Sequence, residues 1–136
     1  MGLISKELFI CLDCETTGLD AENDKIIEIA TVVFNSEGII NSFETLIDPG
    51  VLISPESMAI HHITDEMVQG KPKIDEVLPT ILSFIGRHII VGHGITMDIA
   101  FLVQAAKKAE IHCNLPTHPY IDTLILARLY GESPTN

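Results

Sequence analysis

A chain of 136 residues with 46% hydrophobic side chains can bury one packed core, and its length suits a single domain spanning residues 1–136. Its formal net charge is −11, from 19 Asp and Glu against 8 Lys and Arg. Broad electrostatic capture of nucleic acid is therefore excluded, because that mode needs basic residues to neutralise phosphates.

Three cysteines, an odd count, argue against a disulfide framework. No apolar stretch reaches the roughly 18 residues that a membrane span requires. The N-terminus has no basic start followed by a long apolar segment, so a secretory signal is not expected. Met1-Gly2 begins like an acylation motif, but Lys6 stands where that motif needs a hydroxyl. The expectation is a cytoplasmic protein without a membrane anchor.

In chain order, residues 8–13 ("LFICLD") read as a buried central strand, apolar on both faces. The β-branched run "KIIEIATVVF" (25–34) and "IINSFETLID" (39–48) predict two more strands, joined by the turn residues "NSEG". Together they predict a three-strand meander with the first strand at or near the middle. The segment "SPESMAIHHITDEM" reads as a loop. A helix capped by Asp75 follows to about Ile85, with Val77, Leu78, Ile81, Leu82 and Ile85 at helical spacing and Pro79 tolerable only in the first turn. "HIIVG" (88–92) predicts a short buried strand, and 96–111 a helix with Thr96 as N-cap and Lys107-Lys108 near its C-terminal end. Residues 119–130 predict a short strand running into a helix capped near Asp122. The order βββ-α-β-α-β-α implies an α/β mixed sheet with flanking helices. The closing "GESPTN" is turn-rich and reads as the start of a linker.

The first strand runs into two carboxylates, Asp13 and Glu15. Residues i and i+2 of a strand share a face about 6 to 7 Å apart. At that distance the two charges repel by roughly 2 to 3 kcal/mol at an effective dielectric near 20. No Lys or Arg lies between residues 7 and 24, so a hard divalent cation is the natural counter-charge. Asp98, in the first turn of the helix after the 88–92 strand, is the third acid. All three meet at one sheet end if the two strands are neighbours and parallel. Cys11 and Cys14 have a C-x-x-C spacing, but residues three apart on a strand point to opposite faces. A zinc or redox site built from Cys11, Cys14, His112 and Cys113 is accordingly the weaker reading.

These residues resemble the DEDD 3′–5′ exonucleases, the DnaQ-like group that includes the proofreading epsilon subunit of bacterial DNA polymerase III. The D-x-E-T-T-G motif is matched by Asp13 to Gly18, and G-H-N-x-x-F-D-x-x-F-L by Gly92 to Leu102, with Gly94 in place of Asn and Met97 in place of Phe. "PESMAIHHIT" resembles the family's P-E-x-x-x-x-H-x-I-T segment, and "YIDTLILAR" its D-T-L-x-L-A-R helix start.

The resemblance implies a ribonuclease H-like sheet and an acidic nest of Asp13, Glu15 and Asp98 holding two divalent ions, Mg²⁺ or Mn²⁺. It implies hydrolysis of phosphodiester bonds at a nucleic acid 3′ end, giving nucleoside 5′-monophosphates. Thr16 would meet the terminal nucleotide through its backbone, and Glu56 and His61 would touch the terminal sugar. Thr16, Thr17 and Gly18 form a tight exit whose N–H groups could face a phosphate.

The family's third motif supplies a His general base and a fourth metal-binding Asp, and no His or Asp follows Asp122 in this sequence. The expectation is a domain incomplete at its C-terminus, lacking helices, with little or no activity by itself. Self-association through uncovered apolar surface is a second consequence. Single-stranded or 3′-terminal nucleic acid and a polymerase subunit are the implied partners. A non-catalytic module that binds nucleotides or a partner is the competing reading.

Overall fold

A computed structural model describes residues 7–131 of the chain. The acylation reading at Met1–Lys6 and the tail beyond Gly131 fall outside the described residues. Five strands form one sheet: β1 (Phe9–Thr16), β2 (Ile26–Asn35), β3 (Gly38–Leu46), β4 (Ile89–Gly92) and β5 (Tyr120–Asp122). Their order is β3-β2-β1-β4-β5, so the first strand is central. The meander pairs are antiparallel, whereas β1–β4 and β4–β5 are parallel. The expected mixed sheet is present.

Alternation along β1 and β2 defines the two faces. Ile10 and Leu12, with their cross-strand partners Val33 and Thr31, turn toward one side and are buried. There they meet α3 (Ile74–Ile85) and α4 (Ile95–Lys108) in a core that includes Leu78, Ile81, Ile95 and Leu102. Thr31 is 1% exposed, and its hydroxyl donates to the Phe43 carbonyl at 3.0 Å, which satisfies the one polar group at that level of the core. On the opposite side Cys11 and Asp13 are exposed. Cys14 packs on the helix side, so the two thiols diverge as the strand period requires.

β1 runs to Thr16 rather than stopping at residue 13, which puts Glu15 inside the strand. The pairing slips between Glu15 and Thr16, leaving Ile27 as the extra residue of a bulge. The Ile27 side chain is fully buried in a second, smaller core with Ile53, Ile63 and Val68. That core anchors the segment read from sequence as a loop, which instead carries two short helices, α1 (Pro55–His61) and α2 (Asp65–Val68). Ser54 caps α1 by accepting the Ser57 N–H, with Pro55 at the first helical position, and Thr64 caps α2 by accepting the Met67 N–H.

Three helix details depart from expectation. Lys73, not Asp75, is the N-cap of α3, and Asp75 sits in the first turn. Pro79 lies in the second turn, where it removes one helical hydrogen bond. The carbonyl left over belongs to Asp75, and both residues are exposed, so water can satisfy it. The N-cap of α4 is Gly94, not Thr96; its φ of 64° and ψ of 36° are left-handed values that glycine adopts at low cost. The last helix, α5 (Thr123–Tyr130), is capped by Asp122 as expected. No helix of the described residues is long and apolar enough to cross a membrane.

Candidate active site

The register of β4 with β1 is short: the last parallel pair is Cys11 with Val91, and the strand stops one residue later at Gly92. Beyond that point this edge of β1 has no strand beside it, and the start of α4 takes its place. Asp98, in the first turn of α4, accepts a hydrogen bond from the Cys14 N–H. This contact brings the third acid to the other two. Asp98 is 9% exposed. Burial, then the charge of Asp13, pushes its carboxyl up to about 7; Glu15 and Asp122 add to the rise and the Cys14 N–H opposes it. The Cys14 thiol is held well above its ordinary range by burial and then by Asp98, Asp13 and Glu15, so it stays neutral.

One cleft of about 350 Å³ is lined by Glu15, Thr16, Glu56, His61 and Asp98, together with Gly18, Ser57 and Met97. Five of the six sequence-selected residues therefore share a wall. Asp13, two residues back along Glu15's face of β1, is exposed and stands outside that wall, although its charge reaches Asp98. Among the described residues the one ion pair is Lys73 with Asp48 at 3.5 Å, so no Lys or Arg neutralises the three acids.

The exit from β1 is tied down from both sides. The Thr17 N–H donates to the Lys25 carbonyl at 2.8 Å, and the Lys25 N–H donates to the Thr17 hydroxyl at 2.9 Å. The Thr17 amide is thus engaged within the loop and does not face a phosphate as expected. The Ser57 hydroxyl donates to the Thr17 carbonyl at 2.7 Å, which fixes α1 against this loop and holds Glu56 on the cleft wall. The Thr16 hydroxyl donates to the Gly18 carbonyl at 2.6 Å. A Cβ at Gly18 would lie 2.3 Å from Asp24 Oδ2, so glycine here leaves room for the Asp24 carboxylate to pack against the loop.

His61 closes the same wall. Its Nδ1 accepts the Ile63 N–H at 3.1 Å, so in the neutral ring the proton sits on Nε2. That Nε2 is buried and has no hydrogen-bond partner. A buried unsatisfied donor costs about 1 to 3 kcal/mol, which marks it as a place for a ligand acceptor.

Two acids were not singled out from the sequence as site residues. Glu28 lies directly across from Glu15 in the β1–β2 register. Its carboxyl is pushed up by burial, then by Glu15, Glu44 and Asp13, while His61 opposes the shift. Only the register reveals this pair, since alternation within β2 says nothing of what lies opposite. Asp122 is the other: its Oδ1 accepts the N–H groups of Gly94 and Leu124, both at 2.9 Å. Burial raises its carboxyl, but these N–H bonds and the His93 charge outweigh that and hold it below the usual carboxylate range. One side chain thereby caps α5 and fixes the turn leading into α4 and Asp98.

The donor set of Asp13, Glu15 and Asp98 is all oxygen and uncompensated by any base, which fits a hard divalent cation. The described residues contain no group of three His, Cys, Asp or Glu gathered closely enough to hold one ion, so the acids form a rim, not a closed cage. The cysteine-histidine zinc reading fails on geometry as well, since Cys11 and Cys14 lie on opposite faces of β1.

Comparison with known proteins adds the lineage. The epsilon subunit of DNA polymerase III from Treponema pallidum is 39% identical over 123 residues, covering 88% of this chain and 55% of that protein. The PolC-type DNA polymerase III of Thermotoga maritima is 45% identical over 121 residues, covering 88% of this chain and 9% of that one. The chain thus spans about half of the one relative and a small part of the other. The zinc-bound complex of Escherichia coli exonuclease I with single-stranded DNA superposes with a TM-score of 0.80 at 18% identity, over 90% of this chain and 29% of that one. That likeness establishes the shared ribonuclease H-like fold. The profile of the exonuclease family RNase_T matches residues 10–135, and the chain belongs to that family.

Proposed function

We propose that this chain is the acidic core of a 3′–5′ exonuclease that releases nucleoside 5′-monophosphates from a nucleic acid 3′ end, in the service of DNA proofreading. The observation that carries the reading is the convergence of Glu15, Thr16, Glu56, His61 and Asp98 on one cleft, from three separate stretches of sequence. Asp13, Glu15 and Asp98 are the residues that would hold Mg²⁺ or Mn²⁺. When bound, such ions supply charge stabilisation to the attacking and leaving oxygens of a phosphodiester.

The chain's own residues then bind and orient. The His61 Nε2–H is a donor without a partner, suited to an acceptor on the terminal sugar, with Glu56 on the same wall. The Thr16 backbone flanks the terminal nucleotide. Hydrolysis also needs a general base, a group typically worth about 10² to 10⁴-fold. The residues that line the cleft include no His and Asp pair matching the third motif, so residues 1–136 by themselves are proposed to be inactive or weak.

The test is release of nucleoside monophosphates from a 3′-labelled strand with Mg²⁺ or Mn²⁺. It is run on this polypeptide and on a version extended through a helix carrying His and Asp. Metal-dependent release by the extended form alone supports the reading; none by either form refutes it.

A second reading is a module that binds nucleotide without turnover, for which the partnerless Nε2 of His61 in the cleft would serve equally. Saturable binding of a nucleoside monophosphate by the 136-residue chain, with no cleavage by the extended form, would select it. A DNA polymerase subunit, a cytoplasmic setting and self-association through the exposed apolar residues Leu129 and Tyr130 of α5 complete the proposal. Sedimentation of the chain checks the last of these.

A further inference from the structure

Asp98 is delivered to the other two acids by a turn that does little to hold itself. Gly92, His93 and Gly94 join β4 to α4, and Gly94, the N-cap, offers the helix no side-chain hydrogen bond. Two glycines around one histidine leave the entry angle of a helix loosely set. The neighbouring strand supplies the missing restraint. Gly92 pairs with Asp122 in the parallel β4–β5 register, which lays the Asp122-Thr123 dipeptide against the turn.

Each of those two side chains makes two contacts. Asp122 Oδ1 accepts the Gly94 and Leu124 N–H groups, both at 2.9 Å. The Thr123 hydroxyl oxygen lies 3.3 Å from the Gly92 carbonyl oxygen and 3.1 Å from His93 Nδ1. A carbonyl only accepts, and a hydroxyl has a single proton to give. Both contacts are made together only if Thr123 donates to Gly92 and the His93 ring donates its Nδ1–H to Thr123. The neutral His93 ring is therefore fixed in its Nδ1–H tautomer, with Nε2 left as an acceptor. Thr123 grips the turn at two successive residues, and Asp122 holds the third.

We propose that Thr123 is a positioning residue for Asp98: its hydroxyl, bridging Gly92 and His93, sets the angle at which α4 leaves the turn and so keeps the Asp98 carboxyl on the Cys14 N–H. Asp98 lies in the first turn of α4, so a tilt of the helix start moves it directly. The consequence for ion binding rests on the reading of Asp98 as a cation ligand. A carboxylate already held in place loses less freedom when an ion arrives.

The experiment compares the parent chain with Thr123→Val, Thr123→Ser and Thr45→Val at pH 8, first without metal. Thr45→Val is the control, since it removes a hydroxyl that donates to Leu46 on β3, at the far edge of the sheet. In Thr123→Val the Cys14 amide should exchange about three- to tenfold faster, and the His93 ring nitrogen shifts should lose the pattern of a fixed Nδ1–H. Thr123→Ser should restore both signals, and Thr45→Val should alter neither. Mn²⁺ alone is then titrated, with the free ion read by EPR. Thr123→Val should bind it about three- to tenfold more weakly than the parent, and Thr123→Ser about as well as the parent. Unchanged Cys14 exchange or unchanged Mn²⁺ affinity in Thr123→Val overturns the proposal, as does an equal loss in Thr123→Ser or Thr45→Val. A parent that takes up no Mn²⁺ while the metal-free changes appear refutes the cation reading and upholds the hold of Thr123 on Asp98.

Discussion

Replacing Asp98 with Asn tests the electrostatics of the site directly. The carboxyl is raised from its ordinary value of 3.8 to about 7, chiefly by burial and by Asp13. A raised folded-state value means that the folded chain binds the proton more tightly than the unfolded chain. Stability from this group is therefore greatest at low pH and is lost as pH rises from about 4 to 7. At about 1.4 kcal/mol per unit, a rise of this size caps the loss near 4 kcal/mol, and screening of a partly solvated group brings it to about 2 kcal/mol. Asn keeps an oxygen for the Cys14 N–H and removes the charge. In metal-free buffer at pH 8, Asp98→Asn should be more stable than the parent by about 1 to 2 kcal/mol. That difference should vanish near pH 4. Urea unfolding with a chelator at a series of pH values measures it. Added Mn²⁺ should stabilise the parent and leave the variant largely unchanged. A variant no more stable than the parent at pH 8, or a difference independent of pH, would refute the proposed crowding of the three acids.

Three other substitutions probe the scaffold. A Cβ at Gly92 would lie 2.5 Å from Ile95 Cδ1 and 3.0 Å from the Leu12 carbonyl oxygen, so Gly92→Ala should cost about 1 to 3 kcal/mol. An unchanged thermal midpoint would show that β4 and β1 are not so closely apposed. Gly18→Ala should expel the Asp24 carboxylate from the exit loop and speed hydrogen exchange at the Asp20 amide; unaltered protection there would count against the tie. His61→Phe removes both ring nitrogens, one satisfied and one not. Thymidine monophosphate should bind the variant about five- to tenfold more weakly, and equal affinity would remove His61 from the nucleotide site.

The sheet was legible because its strands announce themselves. β1, β2 and β4 are short runs of Ile, Val, Leu and Phe bounded by turn residues, and a parallel β1–β4 pair follows from the helix between β3 and β4. The second core was not legible, because it depends on one slipped register that turns Ile27 out of line. Once that is known, Ser54-Pro55 and Thr64 become recognisable helix starts. Glu28 was missed for a related reason: its neighbour Glu15 lies 13 positions earlier in the chain and opposite only in the folded pairing. The cap of α4 was misassigned to Thr96 because its true partner is Asp122, 28 residues from Gly94 and invisible to any local rule. Asp13 and Glu15 stand out in the sequence because no Lys or Arg lies between residues 7 and 24, and Asp98 because the motif around it resembles one of the exonuclease family.

The donor that orients Asp98 is a main-chain amide at position 14 and not the cysteine itself. Evolution is therefore free to exchange that thiol for almost any apolar group of similar bulk, since every amino acid but one brings the same N–H. Proline is the exception. Placing it there would release Asp98 while leaving all three carboxylates in the sequence, a lesion that an inventory of acidic residues would never detect.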